Sequence, residues 1–342
     1  MKKIVLIMAY YGTLPNFFPV WLESVKNNPT IDFCFLSDCV DKAQMPENVR
    51  VVDISGEEFK HRIREKFEFD VSINNYGRIS QFRPAFAYIF PEIVEEYDFW
   101  GYVECDLILG DIRTFLTDDV LDQYDKFFKL GHLQLFRNCP EMNTLFMQKT
   151  YSALDYKYAY SKDVLFFEEV FGMTNIANAR GVRTYTKNVF SDLNMFELMF
   201  TRGTYTYDEL TPQEQLFEYD HGKLYSVCIE NGSIEKKEIL YVHFQKRAME
   251  IHTSDFNQYI IVPNRFSPWK QIDEHVFRAV KDDIKAREEE YRNGMVQKLN
   301  DIKSQRLKSM EWRILYLIRA RVFLFGGIDL SGKSWKKYPN TL

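Results

Sequence analysis

At 342 residues, 16% of them aromatic, the chain is long enough for one large domain or two small ones with a substantial core, and rich enough in rings to stack bases or sugars. Its formal net charge of -5, with no basic face over most of its length, argues against a nucleic-acid binder. The five cysteines (34, 39, 105, 139 and 228) are odd in number and scattered, which predicts free thiols in a reducing compartment and no zinc site.

Residues 4–9 are short, continuous and apolar, the pattern of a buried first strand. That run is too short to be the core of a signal peptide. A loop over 10–16, with Gly12 and Pro15, leads to a helix over 17–27 that places Phe18, Trp21, Leu22 and Val25 on one stripe. Strands are expected over 31–36 and 49–54, then helices over 57–67 and 81–97, the second broken or kinked at Pro91. This alternation with short links predicts a mostly parallel α/β sheet. From 118 to 240 the pattern is less regular and reads as helices and short strands covering the open side of the sheet. A late strand is expected over 237–244. After Pro268 the chain becomes helical and highly charged, over 273–298. No stretch approaches the roughly 20 apolar residues of a membrane span.

The stretch from Tyr97 to Asp111 carries the clearest chemistry. Aromatic and β-branched residues run into an acid-x-acid pair, Glu104 and Asp106. Open α/β sheets bind ligands at the carboxyl ends of their strands, and Mg²⁺ or Mn²⁺ takes one or two carboxylates plus phosphate oxygens. The competing reading is an ordinary loop that sheds its polar residues after a strand. His243, with Lys246 and Arg247 three and four residues on, offers an imidazole ligand and two positive charges. Elsewhere, Leu307, Met310, Ile314, Leu317 and Ile318 recur at helical spacing among basic residues. That pattern fits a helix lying on an anionic membrane or one packed on the protein's own core.

Phe99-Trp100-Gly101-Tyr102-Val103-Glu104-Cys105-Asp106 resembles the Trp-Gly-aromatic-x-Asp-x-Asp segment of bacterial GT-A-fold glycosyltransferases of capsular and lipopolysaccharide biosynthesis. The resemblance extends over roughly residues 4–250. It includes Ala9 to Asn16, Phe35-Leu36-Ser37-Asp38, Gln81-Phe82-Arg83-Pro84-Ala85, Gly131 to Asn138, and Tyr241-Val242-His243-Phe244-Gln245-Lys246-Arg247. Two positions depart from it: the group usually has Asp where this chain has Glu104 and Gln81.

The resemblance implies a GT-A (nucleotide-diphospho-sugar transferase) α/β fold, a mostly parallel central sheet flanked by helices, with a C-terminal helical extension. The catalytic domain would span 1–267, divided into a nucleotide-sugar half (1–117) and an acceptor-side half (118–267), with the extension over 268–342. Glu104, Asp106 and His243 would hold Mn²⁺ or Mg²⁺. Ala9, Tyr10, Tyr11, Asp38 and Arg83 would contact the donor, most simply a UDP-sugar. Lys246 and Arg247 would neutralise charge on the departing diphosphate. His132, Arg137 and Asn138 fall on the acceptor side, and Glu169, or else Glu168, would serve as base if the enzyme inverts. The implied acceptor is a cell-surface glycan or its lipid-linked precursor, reached from the cytoplasmic face of the membrane. Two rivals stand beside this reading. A non-catalytic nucleotide- or glycan-binding protein would keep the fold and lose the metal. A sugar nucleotidyltransferase would need a Gly-rich basic loop after the first strand, where this chain has one glycine and no basic residue.

Overall fold

The structure, a computed structural model, describes residues 1–306 apart from 75, 163–166, 170, 203–213, 246 and 286. It opens with β1 (Ile4–Ala9), α1 (Phe18–Lys26), β2 (Asp32–Ser37), β3 (Val49–Asp53) and α2 (Gly56–Glu65). Continuous apolar strands are what a parallel sheet covered on both faces requires, and β1 pairs in parallel with β2, as β2 does with β3. Pro19 lies in the first turn of α1, whose Phe18, Val20, Trp21 and Val25 are buried. A capping box formed by Ser55 and Glu58 starts α2.

The helix expected over 81–97 is broken into α3 (Ile79–Phe82), a 3₁₀ turn over Arg83–Ala85, α4 (Phe86–Ile89) and α5 (Pro91–Val94). Pro84 and Pro91 each lack the amide hydrogen a continuing helix needs. The pieces lead into β4 (Phe99–Val103), which pairs in parallel with β1. Next come β5 (Leu107–Leu109), α6 (Ile112–Phe115), α7 (Asp118–Gln123), β6 (Lys126–Phe127) and β7 (Leu133–Arg137). Asp111 caps α6, accepting from the backbone of Arg113 and Thr114. Short helices α8 (Pro140–Asn143), α9 (Tyr156–Ser161) and α10 (Met173–Ala179) precede β8 (Thr184–Tyr185).

The central sheet has the order β3-β2-β1-β4-β7-β6-β8, parallel except where β7 meets β4 and β6. The fold is therefore α/β, with a mostly parallel central sheet and helices on its faces. Gly101 of β4 lies so close to β7 that a Cβ there would sit 2.1 Å from the Gln134 carbonyl oxygen. One face packs α1 and Phe99; the other packs α2, the broken helical run and Trp100.

The region expected to cover the sheet does something else. β6, β7 and β8 are themselves members of the central sheet. Further on, β9 (Ser191–Asp192), β10 (Gln215–Asp220), β11 (Lys223–Glu230), β12 (Ser233–Glu238) and β13 (Tyr241–His243) follow, then β14 (Glu250–Ile251), β15 (Gln258–Val262) and β16 (Arg265–Pro268). A second, six-stranded sheet runs β12-β11-β10-β15-β16-β14, and a small third one runs β5-β13-β9. The single strand expected over 237–244 is thus the end of β12 and all of β13, in different sheets. Helices α11 (Glu274–Lys285) and α12 (Glu288–Arg306) close the described chain. Val276, Phe277 and Ile284 of α11 pack on Leu216, Val227 and Ile260 of the second sheet. Among the described residues no helix is long and apolar enough to cross a membrane, and the five cysteines are unpaired.

Candidate active site

The carboxyl ends of β1 and β4 open side by side, and the chain turns there at Ala9-Tyr10 and at Glu104-Cys105-Asp106. After Asp106 the chain reverses into β5, which pairs antiparallel with β13 so that Leu107 faces His243. The Phe244 amide donates to the Asp106 carbonyl at 2.9 Å. This pairing carries the imidazole to the two carboxylates. His243 Nε2 lies 3.3 Å from Asp106 Oδ1 and 3.6 Å from Glu104 Oε2. The ligand atoms of the three side chains all lie within 4.8 Å of one another. Two ligands on one ion at about 2.1 Å are no farther apart than about twice that, so both imidazole–carboxylate separations fit a single divalent cation.

Three further groups surround His243. Asp192, on β9 beside β13, faces its Nδ1 at 2.8 Å. Gln245 donates to the same carboxylate oxygen at 2.5 Å. His132 stacks on the ring with centroids 3.8 Å apart, and its own Nδ1 lies 3.3 Å from the Tyr241 hydroxyl. Burial disfavours a charged His243, but Asp106 and Asp192 overcome that and hold its pKa well above the usual histidine value. Burial and the neighbouring His243 charge push His132 down to about 4, so this ring is neutral. Burial would raise Asp192, but the charge and hydrogen bond of His243 and the Gln245 amide hold it below the usual carboxylate range.

On the other side, Arg83 Nη1 donates to Glu104 Oε1 at 2.6 Å and to the Gly131 carbonyl at 3.1 Å. Glu169 accepts the Gly131 amide at 2.5 Å, and burial with Glu168 alongside pushes its pKa up to about 8. Glu168 is also raised by burial, against the pull of Arg83. Its Oε2 is buried without a hydrogen-bond partner among the described residues.

The structure gathers Glu104, Asp106, His243, Arg83, His132, Glu168 and Glu169 around one end of β4. Ala9 ends β1 and Tyr10 opens the loop after it, where Tyr10 donates its hydroxyl to the Thr13 carbonyl and Ser37 donates to the Tyr10 carbonyl. Asp38 follows β2 and is exposed. Tyr11 is less available as a stacking surface, because its ring packs on Phe59 at 5.5 Å against the core.

Three expected site residues sit elsewhere. Arg137 ends β7 opposite Phe99, four residues along the strand from Leu133. At about 3.3 Å per residue that puts it ~13 Å from the site end. There it pairs with Asp125 at 2.9 Å and donates to the carbonyls of Leu121 and Tyr124. Asn138 beside it donates to the carbonyls of Val94 and Tyr97. Arg247 is buried; its guanidinium donates to the carbonyls of Asn194, Glu197 and Leu198 and lies over the rings of Phe200 and Tyr291. A guanidinium so enclosed holds loops together and is turned away from any diphosphate. Lys246 lies outside the described residues. Asp192, Gln245 and Tyr241 were not expected in the site.

A parallel sheet ordered β3-β2-β1-β4, with an antiparallel β7 beside it, thus carries an acid-x-acid turn closed by a late histidine strand, an α/β fold with its candidate site at the carboxyl ends of the strands. The chain belongs to a family of unknown function, DUF6625, whose model matches residues 6–270. No curated protein matches it. Among solved structures it is similar to galactosyltransferase LgtC in complex with donor and acceptor sugar analogs. That match has 15% identity over 56% of this chain and 75% of the other, with a TM-score of 0.30. It is also similar to an active-site mutant of LgtC, at 12% identity over 56% of this chain and 74% of the other, TM-score 0.33.

Proposed function

We propose that this protein is a metal-dependent glycosyltransferase that moves a sugar from a nucleoside diphosphate donor, a UDP-sugar, to a cell-surface glycan or its lipid-linked precursor. The observation that carries this reading is the convergence of Glu104, Asp106 and His243 Nε2 at the carboxyl end of β4. The donor set of two carboxylates and one imidazole suits Mn²⁺ or Mg²⁺. A cation held there would supply charge to the two phosphates of the leaving nucleotide.

The chain's own residues do the rest. Ala9, Tyr10 and Asp38 offer backbone and polar contacts to a base and ribose lying over β1 and β2. Glu169, whose carboxyl burial and Glu168 push up to about 8, is the group placed to take a proton from an acceptor hydroxyl once ionised; Glu168 is the alternative. Lys246 is retained as a counter-charge for the diphosphate. In this reading residues 1–267 form the catalytic unit, in halves 1–117 and 118–267. Residues 268–342 form a helical extension whose basic end, from 307 on, rests on the cytoplasmic membrane face. That end lies outside the described residues.

Incubating the protein with a panel of UDP- and GDP-sugars and Mn²⁺ tests the reading, by slow donor hydrolysis or by transfer. Absence of turnover of every donor, with and without metal, would count against it. The Arg83–Glu104 ion pair favours one alternative, a binding protein without catalysis, because it ties up one of the two Glu104 oxygens and leaves only Oε2 facing His243. Donor binding with no hydrolysis at saturating Mn²⁺ is the outcome that alternative expects.

A further inference from the structure

Asp192 has no part in the reading above, yet it is 1% exposed and lies in the centre of the site. Strands β9 and β13 run parallel, with His243 directly beside Asp192, and the Leu193 amide donates to the His243 carbonyl at 3.2 Å. An ionised carboxylate can only accept hydrogen bonds. The 2.8 Å contact from His243 Nδ1 to Asp192 Oδ1 therefore requires the hydrogen on Nδ1. From this we propose that Asp192 is the positioning residue of the candidate cation site: by accepting the Nδ1–H of His243 it leaves Nε2 as the nitrogen that faces Glu104 and Asp106. This rests on the reading of those three residues as a cation site.

The surroundings of Asp192 serve the same end. Gln245 sits in the left-handed region, at φ 54°, which turns its amide back onto the Asp192 carboxylate at 2.5 Å. Arg247 holds the carbonyls of Asn194, Glu197 and Leu198, and so anchors the chain just past β9. His132 covers one face of the His243 ring at 27° interplanar angle and blocks its rotation. His132, Asp192 and His243 are close enough to suggest a second ion among themselves. Ring lone pairs lie in the ring plane, however, and two near-parallel rings 3.8 Å apart do not aim theirs at one point. The trio is a hydrogen-bonded support, and the ion's place is on the Nε2 side.

The test titrates Mn²⁺ alone into the full chain and counts free ion by electron paramagnetic resonance. Asp192→Asn is expected to weaken binding about 10-fold and Asp192→Ala up to about 100-fold, the range for partners of metal-bound histidines. In a His243→Ala background, Asp192→Ala should cost nothing further, a result that a general loss of structure would not give. Circular dichroism checks that each variant folds.

A second measurement needs no variant. Imidazole ¹⁵N resonances of the wild-type protein should show His243 Nδ1 protonated, with Nε2 the nitrogen that shifts when diamagnetic Zn²⁺ is added. Equal Mn²⁺ affinity in wild type and Asp192→Ala would overturn the proposal, and so would a shift at Nδ1. Wild type that binds neither ion while Nδ1 carries its proton would sink the cation reading and leave the orientation of His243 by Asp192 standing.

Discussion

Arg83 and Glu104 form an ion pair in which one carboxylate oxygen is bonded at 2.6 Å and the other faces His243 at 3.6 Å. The pair divides Glu104 between a fixed guanidinium and the cation side of the site. Arg83→Met should cost about 2–3 kcal/mol of stability, somewhat less than the ~3–5 of a fully buried pair, because Glu104 and Glu168 lose their counter-charge. It should also tighten Mn²⁺, since both Glu104 oxygens become available. The rise in melting temperature on adding Mn²⁺ is expected to be larger in Arg83→Met than in wild type.

Asp106→Ala should abolish donor turnover, by about 100-fold or more, while leaving the fold intact, because it removes a partly exposed group at the sheet edge. EDTA should do the same to wild type, and full activity in excess EDTA would contradict the metal mechanism. His243→Ala should instead raise the Mn²⁺ requirement, with partial recovery at high metal. Lys246→Ala should lower turnover at saturating metal. Rates measured over a Mn²⁺ series separate the three variants.

Glu169 gives a pH prediction with a definite sign. Its carboxyl is raised from 4.5 to about 8, by burial and then by Glu168. Between those values the folded chain binds more protons than the unfolded one, so this group's contribution makes stability fall as pH rises. Glu169→Gln keeps an acceptor for the Gly131 amide and removes the charge. Its melting temperature should exceed that of wild type by a few degrees near pH 8, and the difference should vanish near pH 4.5.

Gly101→Ala tests the packing that brings β4 and β7 together. A Cβ 2.1 Å from the Gln134 carbonyl cannot be accommodated without moving backbone. The expected cost is about 3 kcal/mol or more, at the upper end for overpacking, read as a lower denaturant midpoint.

Removing residues from Leu307 onward should release the protein from anionic vesicles and preserve donor hydrolysis, since every proposed donor contact lies before Ala248. Basic residues contribute roughly 1 kcal/mol each near such a surface and are screened by salt, so wild-type binding should fall with ionic strength. Insolubility of the truncated protein, with no vesicle binding by the intact one, would make the tail part of the fold.

The first half of the chain was readable because parallel strands buried on both faces spell out continuous apolar runs, as β1 and β2 do. Gly101, Glu104 and Asp106 were visible for the same reason, as a break in such a run. The second sheet was missed although its turns were signalled. His221-Gly222 and Asn231-Gly232 both take positive φ, the mark of type I′ hairpins. The strand after the second of them, β12, is so charged that its alternation was obscured. Asp192 left no trace, because β9 is two residues long and its partner strand lies about fifty residues on. Arg137 and Arg247 were drawn into the site by adjacency to His132 and His243. A strand carries the first away from the site, and a turn buries the second.

The small sheet β5-β13-β9 has a consequence for how this protein comes into being. Glu104 and Asp106 are made early in synthesis, whereas His243 and the strand beneath it arrive about 140 residues later. Contacts of such sequence separation form only after the intervening loop entropy has been overcome. A nascent or truncated chain that ends before β13 would expose two carboxylates with no imidazole to complete them. An ion lodged there in the finished protein would act as a non-covalent clasp between the turn after β4 and a strand made about 140 residues later. It would stabilise the closed chain in proportion to the logarithm of its concentration, so occupancy of this site should be visible in resistance to proteolysis even before any sugar donor is found.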